Sequence, residues 1–217
     1  MKKYRYLLWD LDGTLIYSHP GIYACIRYAL KEMGREEAKM EQLRQCIGPS
    51  LMYSFSNYFG MNEQDATVAT AKYREEYTRT GVYQNEPIEG ALESLQRLYE
   101  QGYQMALATS KPSVYAELIT KRWGFDRYLA AQAGCGIGSG LSTKAEVIAE
   151  AMKQMGASKE ECLMIGDRIH DLEGARENGV DCALLRVGYA PEGELETCQP
   201  DYVFDGFYDL TEFLLQN

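Results

Sequence analysis

No apolar run in the 217-residue sequence approaches the ~18 residues that a membrane-spanning helix requires, so a bilayer is not an expected partner. Basic residues are also short: 22 Lys and Arg against 32 Asp and Glu give a formal net charge of −10. A chain with no basic field does not attract a phosphate backbone, which excludes a nucleic-acid polymer as the natural ligand. Small anionic substrates stay open, provided that a site supplies local positive charge. The six cysteines (Cys25, Cys46, Cys135, Cys162, Cys182 and Cys198) contain no C-x-x-C pair. That removes the usual zinc and thiol-redox motifs and leaves reduced core or surface thiols. No internal repeat or low-complexity segment occurs, and Met1-Lys2-Lys3 leads into a strand-like stretch rather than a signal peptide. The expectation is a cytoplasmic protein, monomer or homodimer.

What is present is an ordinary globular composition, 46% apolar and 25% charged, on a chain long enough for one full core with or without an insert. The run Tyr4 to Trp9 reads as a buried strand. After Leu15 the pattern turns helical, with Ile22, Cys25, Ile26, Ala29 and Met33 at spacings of three and four and Gly34 as a stop. Ile47 to Leu51 reads as a turn or helix start, and Asn62 as the cap of a helix through Tyr73 and Tyr77 that ends near Gly81. From Pro87 onward helices and strands alternate. Strand candidates are Tyr103–Ala108, Tyr128–Ala133, Cys162–Ile165, Cys182–Arg186 and Tyr202–Phe204, separated by helical stretches that stop at Gly124, Gly156 and Gly179. This alternation predicts an α/β fold, a Rossmann-like parallel sheet with helices on both faces. The expected division is an α/β core of residues 1–15 and 87–217 and an all-helical inserted cap of residues 16–86.

In a parallel sheet of this kind, ligands collect beyond the carboxyl ends of the strands. Four polar groups fall there together. Asp10 and Asp12 follow the first strand, Thr109-Ser110-Lys111 the second, and Gly166-Asp167-Arg168-Ile169-His170-Asp171 the strand ending at Ile165, while Lys144 opens a helix at the same edge. Two unit charges about 5 Å apart repel by roughly 3 kcal/mol at an effective dielectric near 20, so Asp10, Asp12, Asp167 and Asp171 call for a cation. Mg²⁺ suits carboxylates that share a site with phosphate oxygens. Thr109 and Ser110 offer donors, Lys144 a point charge, and backbone N–H groups near Gly13 and Ser110 further phosphate contacts. Asp10 would then attack phosphorus, with Asp12 moving the proton to and from the departing and attacking oxygens. The set predicts Mg²⁺ and a small phosphorylated metabolite as ligands. As alternatives, Asp10, Asp12 and Asp167 are turn or helix caps, and Asp171 either meets the metal or only orients the site. Lys111 and Arg168 point either inward or outward. His170 reads as structural, the tyrosines of the insert as packing, and His19 as a residue that touches substrate or does not.

These residues resemble the haloacid dehalogenase superfamily of hydrolases. The D-x-D-G-T motif of that superfamily matches Asp10 to Thr14, its strand-end Thr or Ser matches Thr109, its lysine matches Lys144, and its G-D-x-x-x-D matches Gly166, Asp167 and Asp171. The resemblance implies a helical cap inserted after the first motif, a Mg²⁺-dependent phosphatase working through an aspartyl phosphate, and contact of Asp12 with the metal through its backbone carbonyl. Ile47-Gly48-Pro49, Asn85-Glu86-Pro87, Ala108 to Pro112 and Gly166 to Asp171 bring the chain nearest to the phosphoglycolate phosphatases and their 5′-nucleotidase-like relatives. A phosphomutase shares the same intermediate, and a non-catalytic phosphate-binding protein is a further alternative. A dehalogenase would need neither a metal site nor Asp12. A phospho-acceptor receiver would need no helical insert.

Overall fold

The computed structural model describes residues 3–136 and 140–216. Met1 and Lys2, read above as leading into the first strand, lie outside the described residues. The strands are β1 (Tyr6–Trp9), β2 (Ile16–Tyr17), β3 (Glu86–Pro87), β4 (Gln104–Thr109), β5 (Ala131–Gly134), β6 (Cys162–Gly166), β7 (Asp181–Leu185) and β8 (Tyr202–Phe204). The helices are α1 (His19–Glu32), α2 (Met40–Gln45), α3 (Leu51–Phe59), α4 (Glu63–Arg79), α5 (Ala91–Glu100), α6 (Ser113–Trp123), α7 (Lys144–Met155), α8 (Ile169–Asn178), α9 (Glu194–Thr197) and α10 (Phe207–Gln216). None of the described helices is long and apolar enough to cross a membrane.

Six strands form one parallel sheet in the order β5-β4-β1-β6-β7-β8. The middle strands are buried along their length because both faces are covered, and they therefore read as unbroken apolar runs rather than alternating ones. On one face Leu8, Ala106, Ala108 and Met164 pack with Val147, Ile148 and Ala151 of α7 and Leu172 and Ala175 of α8. On the other, the Trp9 ring stacks on Phe207 of α10 with centroids 6.1 Å apart, and Ser94 of α5 shares a 2.5 Å hydroxyl contact with Thr211 of α10.

Register decides where chemistry can sit. Trp9 lies opposite Leu107 and Ile165, and the ladder continues one step further through Asp10 N–H to Ile165 O at 2.9 Å. The ends of β1, β4 and β6 are thus level, and strand order reverses between β1 and β6, where such sheets open a crevice.

The chain forms two compact units, Met1–Tyr17 with Pro87–Asn217, and Ser18–Glu86. Ile16 and Tyr17 belong to the first because they extend as β2, and Ile88 N–H donates to Leu15 O at 3.0 Å where the chain returns. In the second unit α1 packs on α4, Ser50 and Asn62 cap α3 and α4 through Tyr53 N–H and Asp65 N–H, and the rings of Tyr73 and Tyr77 stack at 5.4 Å. Several features differ from the sequence expectation. β5 starts at Ala131 because Asp126–Tyr128 forms a 3₁₀ turn, β2 and β3 are additional short strands, and α2, α9 and α10 are additional helices.

Candidate active site

Asp10 leaves the sheet directly after β1 and is buried at 8% exposure. Lys144 reaches it from the first turn of α7. That turn is fixed by a capping box in which Thr143 Oγ1 accepts from Glu146 N–H (3.2 Å) and Glu146 Oε2 accepts from Thr143 N–H (3.0 Å). The Lys144 ammonium lies 2.6 Å from Asp10 Oδ1, donates to Ala108 O at 3.2 Å, and sits 2.8 Å from Asp171 Oδ1. The ammonium thus bridges the two carboxylates. Burial alone would lower the lysine's pKa, but the Asp10 and Asp171 carboxylates turn the net shift upward, so it is a fixed positive charge.

The loop between β6 and α8 carries two more carboxylates. Asp171 Oδ2 accepts from Asp167 N–H and Arg168 N–H, each at 3.1 Å, which makes it the cap of its own loop. Asp167 is fully buried, accepting from Tyr189 N–H at 2.6 Å and Thr14 Oγ1 at 3.3 Å. Oxygens of Asp10, Asp167 and Asp171 lie within 4.8 Å of one another. Their crowding has an electrostatic signature. Burial pushes the Asp10 carboxyl up to about 6, against the pull of Lys144 and with the added push of Asp171. Burial also raises Asp167 well above the usual carboxylate range, and repulsion from Asp171 and Asp10 adds to it.

Asp12 is not in that cluster. Its Oδ2 pairs at 2.8 Å with Lys111, whose side chain is 5% exposed, and its Oδ1 is buried with no hydrogen-bond partner. Lys111 therefore points inward, a choice that the sequence left open. Thr109, at 1% exposure, accepts from Lys111 N–H at 3.2 Å through a hydroxyl that keeps its own proton to donate, and Ser110 beside it is half-buried.

The Gly13 N–H donates to Ile16 O at 2.9 Å within the turn of its own loop. Gly13 also supplies room: at φ +86° a Cβ would lie 2.4 Å from Asp167 Oδ2. Gly188 does the same from the other side, where a Cβ would meet Asp167 Oδ2 at 2.1 Å. Gly188→Ala should therefore displace Asp167 and cost about 1–3 kcal/mol of stability, read by denaturant unfolding. A cost below about 0.5 kcal/mol would show that the loop yields freely.

Arg168 pairs with Glu194, and His170 lies at the surface with Nδ1 3.5 Å from Glu173 Oε2. His19 opens α1 in the second unit, its ring 5.5 Å from that of Tyr23. The sequence reasoning missed Thr14 as a donor, Gly188, the Tyr189 amide and Glu194. Thr14 alone had a visible signal, its place in the Asp10–Thr14 motif. Carboxyl groups outnumber ammonium groups in the site, four (Asp10, Asp12, Asp167, Asp171) to two (Lys111, Lys144), so the site is acidic before a ligand binds. The arrangement pairs a buried carboxylate with a fixed cation, a proton carrier and hydroxyl donors, which suits displacement at a phosphorus centre.

The family model described as Haloacid dehalogenase-like hydrolase matches residues 7–185. A 5′-nucleotidase of Pseudomonas aeruginosa is 38% identical over 92% of this chain and 90% of its own. Pyrophosphatase PpaX of Halalkalibacterium halodurans is 30% identical over 96% of this chain and 95% of its own. The crystal structure of a predicted phosphatase from Clostridium acetobutylicum superposes with a TM-score of 0.93 at 31% identity, covering 99% of both chains.

Proposed function

The chain belongs to the haloacid dehalogenase-like hydrolase family, and on that premise we propose that it is a Mg²⁺-dependent phosphatase acting on a small phosphate monoester through an aspartyl phosphate on Asp10. The observation that carries this reading is the Lys144 ammonium set between Asp10 and Asp171 inside a three-carboxylate cluster. The donor set is all oxygen, with oxygens of Asp10, Asp167 and Asp171 within 4.8 Å of one another, which fits a hard cation. Asp10, Asp167 and the Asp12 carbonyl would hold Mg²⁺, with Asp171 orienting the loop. When bound, the ion supplies the missing positive charge, favours the ionised form of Asp10 and offsets charge on the phosphoryl oxygens.

The remaining steps belong to the chain's own residues. Asp10 Oδ attacks phosphorus as the ester P–O bond breaks, and Asp12 gives its proton to the departing oxygen. Asp12 then takes a proton from the water that attacks the aspartyl phosphate, releasing inorganic phosphate and regenerating Asp10. The Thr109 hydroxyl, Ser110 and the Lys144 ammonium hold phosphoryl oxygens. The Ser18–Glu86 unit corresponds to the helical cap that the family resemblance implies.

For the substrate we favour a nucleoside 5′-monophosphate, supported by the 38% identity to a protein named 5′-nucleotidase, with phosphoglycolate next. A cytoplasmic setting is supported by the cysteines, which form no disulfide among the described residues and of which five are buried. The test is phosphate release from nucleoside 5′-monophosphates, phosphoglycolate and pyrophosphate, with Mg²⁺ and after chelation. Release from a monoester that chelation abolishes is the expected result. Phosphoryl movement between sugar hydroxyls without net phosphate would replace the reading with a phosphomutase, and no turnover across the panel would overturn it.

A further inference from the structure

Arg168 follows the cluster aspartate Asp167 directly, and its guanidinium pairs with Glu194 of α9. Its Nε lies 2.8 Å from Glu194 Oε1 and its Nη2 donates to Glu194 Oε2 at 3.3 Å. Both side chains are nearly enclosed, at 10% and 14% exposure. Glu194 Oε1 also accepts from Ile169 N–H at 3.0 Å, so one carboxylate from α9 holds both the arginine and the start of α8. The guanidinium still lies within the fields of Asp167 and Asp171, which together with Glu194 favour its charged form against burial.

We infer that Glu194 is a positioning residue that occupies Arg168 and thereby reserves the carboxylates of the Gly166–Asp171 loop for a cation. A buried guanidinium keeps its proton, so a carboxylate is its most favourable partner. With Glu194 pairing the guanidinium, the carboxylates of Asp167 and Asp171 stay available to a cation. These two are the acidic side chains of the loop that carries Arg168, and the guanidinium lies in the field of both. Pairing there would cancel the negative charge on which a divalent cation depends. The neighbouring Ile169 N–H bond gives Glu194 a fixed orientation. This is more than a brace, because it sets the charge of the site as well as the path of its loop.

The inference rests on the proposed Mg²⁺ site, so the experiment measures Mg²⁺ binding itself, by calorimetric titration of chelator-stripped, phosphate-free protein. E194Q is expected to raise the Mg²⁺ dissociation constant about tenfold. The double variant E194Q/R168Q, which removes the freed cation, should recover to within about threefold of the parent. R168Q alone, should E194Q fold poorly in chelator, is expected to bind Mg²⁺ at least as tightly as the parent. Unchanged affinity in a folded E194Q, a double variant as weak as E194Q, or weakened binding in R168Q would each overturn the inference. A parent protein that binds no Mg²⁺ would overturn the metal-site reading beneath it, a distinct outcome.

Discussion

Asp10→Asn is expected to cut hydrolysis of an aryl phosphate by about 10⁴-fold or more while leaving the protein as stable as the parent, or more so, at neutral pH without metal. The amide has the shape of the carboxylate but cannot attack phosphorus, so chemistry stops. Stability moves the other way because the folded state raises the Asp10 carboxyl from 3.8 to about 6 by burial. A carboxyl whose folded pKa is raised contributes stability that is complete below its unfolded value and is lost as pH rises through the folded one. At pH 8 the ionised Asp10 faces Asp167 and Asp171, and the asparagine relieves that repulsion. Denaturant unfolding in chelator should show the parent losing ground to the variant between about pH 4 and pH 7. Undiminished turnover in the asparagine variant would sink the nucleophile assignment. Lost turnover accompanied by lost stability at every pH would reduce Asp10 to a scaffold residue.

The parallel sheet was legible because its middle strands are buried on both faces. Leu7-Leu8-Trp9, Met105 to Ala108 and Leu163 to Ile165 are apolar without interruption, and glycines stop the helices between them. Elements at the periphery carry weaker patterns. The helix α10 packs Phe207, Leu210 and Leu214 at spacings of three and four, but it follows a three-residue half-buried strand and offers only three turns of period. The Tyr128–Ala133 stretch has the letters of a strand throughout. Backbone N–H bonding closes its first part into a turn, and periodicity does not report that choice.

The site divides along a similar line. Groups attached to strand ends or helix starts were readable, since β1, β4 and β6 bring Asp10, Thr109 and Asp167 to one edge by register alone. The segment Thr143-Lys144-Ala145-Glu146 encodes the box that starts α7 at Lys144. Pairings between side chains were not readable. Whether Lys111 or Lys144 meets Asp10 depends on approach angles, and the answer is that each takes a different aspartate. Glu194 stands 26 residues beyond Arg168 on a four-residue helix, and no spacing links the two. Gly188 matters only because Asp167 fills the place of its missing side chain.

Lys144→Met should lower kcat by about 10²–10³-fold and destabilise the metal-free protein by an amount that grows with pH. The ammonium is the one cation bridging Asp10 and Asp171 among the described residues, and its side chain is 9% exposed. Removing one partner from a buried ion pair costs on the order of 3–5 kcal/mol when the other charge stays. Here Asp10 can escape by taking up a proton. Its carboxyl is already pushed up to about 6 with Lys144 in place, and losing the lysine's pull moves it higher still. At pH 5 the Asp10 carboxyl of the methionine variant is protonated and the penalty is small. At pH 8 protonation is costly, and the stability that depends on it is lost. The gap in melting temperature between parent and variant should therefore widen from pH 5 to pH 8, as read by thermal unfolding in chelator. Lys144→Arg separates charge from fit: it keeps the cation, but Gly174 packs so closely that its added Cβ would sit 2.7 Å from Lys144 Cγ, leaving little space for a planar fork. Arginine should restore the pH-dependent part of stability and little of the activity. A gap of equal size at every pH would mean that Lys144 contributes packing alone, and would remove it from the reacting groups.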